Sequence, residues 1–190
     1  VGLRQISAAI RGAQDLDTLR QAAADIRQLA RNMLAQGVGA EQLTSFISTL
    51  NDLLTQRLIE LECERAGLGA FCRGHLCWLA LGSEGRFEQT LATDQDNGLI
   101  FSTPEGSSPD QVRHTLLPLA RRINEALDAC GFPLCPGKVM ASNPQWCLSL
   151  EEWKETFAGW IHRGDKPVLL NATIFFDFRP LWGNHELAQD

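Results

Sequence analysis

Apolar positions recur at alternating spacings of three and four through Leu16, Leu19, Ala23, Ile26, Ala30 and Met33. That period predicts one buried face of a helix, which Gly37 and Gly39 would close. Leu43, Phe46, Ile47, Leu50, Leu53, Leu54, Leu58 and Leu61 predict a second helix with a broad apolar face, ended by Gly67 and Gly69. Two long helices joined by a short connection predict an antiparallel hairpin. Residues 1–69 are therefore expected to form a hairpin that packs against the rest or links it to something upstream, with partner binding as the alternative.

Beyond Gly69 the texture changes. The continuous apolar run over residues 76–81 predicts a buried strand leading into the Gly82-Ser83 turn, and residues 97–101 predict its neighbour. Ser108-Pro109-Asp110-Gln111 carries helix-start chemistry: Ser as N-cap, Pro at the first helical position and Gln three after the cap. This helix should run to about Ala129, where Gly131 and Pro133 stop it. Residues 134–144, rich in Pro and Gly, predict a loop with a short strand near Val139. Ser149-Leu150-Glu151-Glu152 is a second capping box, opening a helix with Leu150, Trp153, Phe157, Trp160 and Ile161 on its apolar face. Residues 172–178, aromatic and β-branched, predict a last strand. The order is helical hairpin, then α/β alternation, with a second unit expected over residues 70–190.

At 190 residues and 44% apolar composition the chain can bury a real core. A net charge of −6 and no Lys/Arg cluster argue against nucleic-acid backbone as the main partner, since that affinity rests on cationic phosphate contacts. No run of about 18 apolar residues predicts a membrane span and no signal-peptide pattern is present, so a cytoplasmic location is expected. The six cysteines form no CxxC pair and several sit in apolar runs, which predicts reduced and mostly buried thiols. His75, His114, His162 and His185 are scattered over different elements and predict surface or structural imidazoles. Because the chain starts at Val1 and stops at Asp190 within an apparent helix start, it is expected to be a piece of a longer protein.

Two features change the picture from architecture to chemistry. Gly82 permits close backbone approach, Ser83 offers a hydroxyl and an amide, and Arg86 has forked donors able to reach a triphosphate. Asp94 and Asp96, at i and i+2 of an extended segment, point to one side and can share a divalent metal. Asp177 places a charge in an otherwise apolar strand, where burial is costly without a cation; a third metal carboxylate or a partner for Arg179 are its two readings. Glu88 could orient Arg86 or touch a metal. Lys138 and Asn143 could contact base or phosphate, or lie in a solvated loop. Trp146, Trp153, Trp160 and Trp182 could stack on a base, although the helical spacing of Trp153, Phe157 and Trp160 favours core. Metals held by carboxylates and donors held against phosphate oxygens are the parts that nucleotidyl transfer needs.

Leu81-Gly82-Ser83-Glu84-Gly85-Arg86 with Thr93-Asp94-Gln95-Asp96-Asn97 resembles the nucleotidyltransferase domain of bacterial PII-protein uridylyltransferases, in the DNA polymerase β-like superfamily. It is more similar still to the nucleotidyltransferase domains found beside CBS or cyclic-nucleotide-binding modules in bacterial signalling proteins. Residues 135–143 and 176–183 carry the later parts of the pattern. The resemblance covers residues 71–190, and the N-terminal helices loosely. It implies an α+β, polymerase β-like fold with a small mixed sheet flanked by helices. It also implies Gly82 and Ser83 at phosphate, Asp94 and Asp96 on Mg²⁺ (or Mn²⁺) and Asp177 as third carboxylate of a two-metal site. Gln95 and Asn97 depart from the wider superfamily, which places apolar residues around the second acid, and match the uridylyltransferase-like branch. The histidine-rich hydrolase and amino-acid-sensing domains of the uridylyltransferases are absent from this sequence, so their PII substrate does not carry over.

The expected activity is Mg²⁺-dependent transfer of a nucleoside monophosphate from UTP or ATP to a hydroxyl, on a regulatory protein in bacterial signal transduction. Sensor domains are expected elsewhere in the full-length chain. Asp94 and Asp96 would hold the metals, Asp177 would assist the attacking oxygen, and Ser83, Arg86 and Lys138 would contact the nucleotide. The rival readings are a nucleotide-binding regulatory module without turnover and a protein-interaction scaffold.

Overall fold

The computed structural model describes residues 2–82, 94–163 and 178–189. Among them lie six α-helices and one four-stranded mixed sheet, an α+β arrangement consistent with the polymerase β-like nucleotidyltransferase fold.

The N-terminal part contains one more helix than the spacing predicts. Helix α1 (Leu3–Gly12) is short and lacks a capping side chain at Gly2, so it carries little signal, yet Ile6 and Ile10 are both fully buried. Helix α2 (Leu16–Ala35) starts at Asp15, whose carboxylate accepts from the Thr18 N–H at 2.8 Å, and it buries Leu19, Ala23, Ile26 and Ala30 as expected. After the joint at residues 36–39, helix α3 (Ala40–Arg65) packs back along α2 with Leu43, Ile47, Leu50, Leu54 and Leu58 inward. The glycines at 67 and 69 predict only a stop. Instead the short helix α4 (Gly69–His75) follows at once and delivers the chain into the sheet. His75 is a satisfied structural imidazole: its ring stacks on Phe71 and its Nδ1 lies 2.7 Å from the Ser102 hydroxyl.

Strand β1 (Leu76–Ala80) pairs antiparallel with β2 (Asn97–Phe101), in a register from Leu76 opposite Phe101 to Ala80 opposite Asn97. Both strands are buried throughout, which is why each reads as a continuous apolar run. Helix α5 (Pro109–Ala129) follows, opened by the reciprocal Ser108–Gln111 capping box. The strand expected near Val139 is absent. The segment turns instead at Cys135–Lys138, with Lys138 at φ +58°, and the next strand is β3 (Cys147–Ser149), parallel to β2. Helix α6 (Leu150–Arg163) begins on the predicted Ser149–Glu152 box.

Of the strand expected over residues 172–178, residues 172–177 lie outside the described residues and Phe178 belongs to no strand. The strand observed there, β4 (Arg179–Gly183), begins one residue later and pairs antiparallel with β1, giving the order β3-β2-β1-β4. At Gly183 (φ +100°) a Cβ would collide with the Leu76 carbonyl oxygen, so only glycine lets the chain leave the sheet here.

Alternation sorts the sheet into two faces. Leu76, Trp78, Leu99 and Phe101 join one core with buried residues of α1, α2, α3 and α5. Cys77, Leu79, Leu81 and Ile100 lie under Trp146 and Trp153 in a second core. Five of the cysteines are buried and all six are free thiols. No helix among the described residues is long and apolar enough to cross a membrane.

Candidate active site

Beyond the last pair of β1 and β2, the Leu81 N–H still donates to the Asp96 carbonyl at 3.0 Å. This extra step brings Gly82 against Asp96. Gly82 is buried at φ +55°, and a Cβ built on it would lie 3.0 Å from Asp96 Oδ2 and 3.5 Å from its carboxyl carbon. The small residue at 82 therefore answers a contact as well as a backbone angle. Ser83 and Arg86, the expected phosphate contacts, lie outside the described residues, as do Glu88 and Asp177.

Asp94 is exposed and Asp96 half-buried, while the intervening Gln95 and the following Asn97 are each only 1% exposed. Burying two primary amides is costly unless every polar atom finds a partner. Here the partners are complete. Gln95 Nε2 donates to the carbonyls of Asn124 (2.8 Å) and Phe132 (2.9 Å), and Gln95 Oε1 accepts from Asn124 Nδ2 at 2.8 Å. Asn97 Oδ1 accepts from Asn124 Nδ2 at 3.1 Å and from the Ala141 N–H at 2.8 Å. Asn124 Oδ1 in turn accepts from the Ser142 N–H at 3.0 Å. Main-chain bonds from Gln95 N–H to the Pro133 carbonyl and from Asn97 N–H to the Val139 carbonyl complete the tie. Gln95 and Asn97 thus anchor the acid-bearing segment to α5 and to the loop after it.

That loop also reaches Asp96 directly. The Cys135 thiol donates to Asp96 Oδ1 at 3.6 Å, and burial, reinforced by the Asp96 charge, pushes the thiol up despite backbone N–H groups that favour its anion. Lys138 is exposed, and its carbonyl accepts from Asn143 Nδ2 at 2.8 Å. The Cys135–Lys138 turn therefore begins beside Asp96.

Among the described residues no group of three or more His, Cys, Asp or Glu is placed to hold a metal ion. Asp94 and Asp96 supply hard carboxylate oxygens on a segment held rigid from behind, and the glycine cradle keeps a side chain away from Asp96 Oδ2. This donor chemistry fits a divalent cation such as Mg²⁺. The structure brings together Gly82, Asp96 and the loop bearing Lys138, and it adds Asn124. Sequence reasoning missed Asn124 altogether and treated Gln95 and Asn97 as marks of lineage. The available signal was the presence of amides at alternate positions entering a buried strand, which demands a polar partner elsewhere.

No curated protein matches the chain. The family described as "Putative nucleotidyltransferase DUF294" matches residues 24–167, from α2 through α6, a span that holds Gly82, Asp94, Asp96 and Asn124 but stops short of Asp177. With that match over most of its length, the chain belongs to this nucleotidyltransferase family.

Proposed function

We propose that the protein transfers a nucleoside monophosphate from UTP or ATP to a hydroxyl on a regulatory protein, releasing pyrophosphate, as part of bacterial signal transduction. The observation that supports this reading is Asp96 at the entry to β2, its carboxylate against Gly82 at the exit of β1, with Asp94 two residues before it, in a member of a nucleotidyltransferase family. The net charge of −6 without a basic cluster favours a protein acceptor over a nucleic acid.

Asp94 and Asp96 would hold Mg²⁺, with Asp177 as the third carboxylate. When bound, the metal supplies charge neutralisation to the phosphates and lowers the cost of ionising the attacking hydroxyl. The remaining work belongs to the chain. Gly82 lets phosphate oxygens approach the main chain, and Ser83 and Arg86 donate to the triphosphate. The Gln95–Asn97–Asn124 amides hold the acids at fixed spacing, so little reorganisation is needed when the substrate arrives. Lys138 adds positive charge on the loop beside Asp96.

Transfer from labelled NTP to protein in a cell extract tests the reading. Asp94→Asn and Asp96→Asn should each abolish labelling while circular dichroism stays unchanged; full activity in both would sink the assignment. Metal-dependent NTP binding with no labelled product in any extract would point to a regulatory module that binds without turnover.

A further inference from the structure

Asp96, Gly98 and Ile100 alternate onto the sheet face that carries the tryptophans. Gly98 lies directly beneath them: a Cβ there would meet the Trp146 carbonyl oxygen at 3.4 Å and Trp153 Cζ2 at 3.7 Å. Two residues of strand, roughly 7 Å, separate it from Asp96. Trp146, Trp153 and Trp160 form a triangle with ring centroids 5.9 to 6.4 Å apart. Trp146 and Trp153 are buried and Trp160 is half-buried. Beside this wall opens a cleft of about 520 Å³, lined by Pro144, Gln145, Trp146, Leu148, Thr156 and Trp160.

The charges at the cleft's far end are already committed. Arg113 Nε donates to the Cys147 carbonyl at 2.9 Å, its terminal nitrogens pair with Asp110 and Glu152, and Glu152 accepts from the Ser149 N–H at 2.8 Å. An extended peptide adding to β3 would need the backbone groups of Cys147 and Ser149 that Arg113 and Glu152 occupy. An anion would find no unspent cation among these residues. A flat, neutral, aromatic group suits the rest of the lining: the half-buried Trp160 ring for stacking and, in the exposed Gln145, an amide that can both donate and accept at a heterocycle edge. The volume falls in the range of small-molecule sites.

We propose that this cleft receives the nucleobase of the NTP whose phosphates lie at Gly82 and Asp96. The proposal rests on the transfer reading above and extends it to the substrate's other end. Stacking on Trp160 supplies affinity for any base, and Gln145 reads the edge.

Binding of ATP, UTP and inorganic tripolyphosphate to the full chain in Mg²⁺, followed by calorimetry, tests it. Trp160→Leu is expected to weaken NTP binding roughly tenfold, the scale of one base stacked on one aromatic side chain, and to leave tripolyphosphate binding unchanged. Thr156→Phe, which fills the cleft without removing a packed ring, should do the same and guards against misfolding of the first variant. NTP affinity unaltered in both variants overturns the base site and leaves the transfer reading intact. Equal loss of tripolyphosphate binding in a folded Thr156→Phe also overturns it. If neither NTP nor tripolyphosphate binds the unmodified chain, the transfer reading fails and the base site fails with it.

Discussion

The Cα of Gly82 faces the Asp96 carboxylate so closely that a methyl group would sit 3.0 Å from Oδ2. At φ +55° an L side chain is strained by about 1 kcal/mol even in open space. The contact falls on the acid and the strain on the backbone beside it, rather than on the core. Gly82→Ala is therefore expected to lower nucleotidyl transfer at least tenfold while reducing the melting temperature only slightly. Equal transfer rates in the two proteins would show that the glycine serves the backbone angle alone.

Asn124 holds both amides behind the acid pair, through 2.8 Å to Gln95 and 3.1 Å to Asn97. Replacing it with Leu, of similar volume, leaves Gln95 Oε1 short of its best donor and the Ser142 N–H without its acceptor. Stranded buried polar groups cost about 1–3 kcal/mol each, so a loss of about 3 kcal/mol in urea denaturation is expected. Mg²⁺-dependent NTP binding should weaken as well, at temperatures where the variant remains folded. Unchanged stability would mean that the network contributes nothing net.

How much of this was legible beforehand follows from the range of each interaction. Helices α2 and α3 announce themselves because their apolar period repeats over many turns, and the boxes at Ser108 and Ser149 because both partners lie within three residues. Helix α1 has only two buried positions and a glycine at its N-cap, and β3 has three residues, too few to show a period. The candidate site residues Gly82, Asp94 and Asp96 stand out by residue type and spacing alone. Their support does not, because Asn124 meets Gln95 across 29 residues of sequence. Glu152 illustrates both cases. Its capping role is local and readable, whereas its pairing with Arg113, 39 residues earlier, needs the fold.

That Arg113–Glu152 pair occupies the outward backbone groups of β3, a polar cover that keeps an edge strand from recruiting another. Burial pushes the Glu152 carboxyl up, but the Ser149 N–H and the Arg113 guanidinium outweigh it, and the net displacement is downward. A carboxyl lower in the folded state stabilises above its unfolded value and loses that contribution as pH falls through the folded value. Stability should thus decline with acid below the ordinary carboxylate range. The decline should be shallower in Glu152→Gln. Parallel slopes for the two proteins between pH 5 and 3, measured by denaturant titration, would exclude Glu152 as a source.

Asp52 on α3 and Arg179 at the start of β4 present the opposite sign. Arg179 donates to Asp52 Oδ1 at 2.8 Å, both side chains are 15% exposed, and Gln56 one turn on donates to the Leu181 carbonyl at 3.0 Å. The helical hairpin is thereby fastened to the strand that begins two residues after Asp177. Burial raises the Asp52 carboxyl more than the hydrogen bond and charge of Arg179 lower it. A raised carboxyl favours the fold while protonated, and that contribution disappears as pH rises through the folded value. Removing the guanidinium deepens the imbalance, because the charge left behind at neutral pH has lost its counterion. Arg179→Leu should consequently destabilise by about 3 kcal/mol at pH 7 and by clearly less at pH 4, where Asp52 can take up a proton. Combining it with Asp52→Leu should recover much of the loss at pH 7, since two apolar side chains then meet where two charges were buried. If Arg179→Leu is equally destabilising at both pH values and the second substitution restores nothing, the fastening depends on packing rather than on charge.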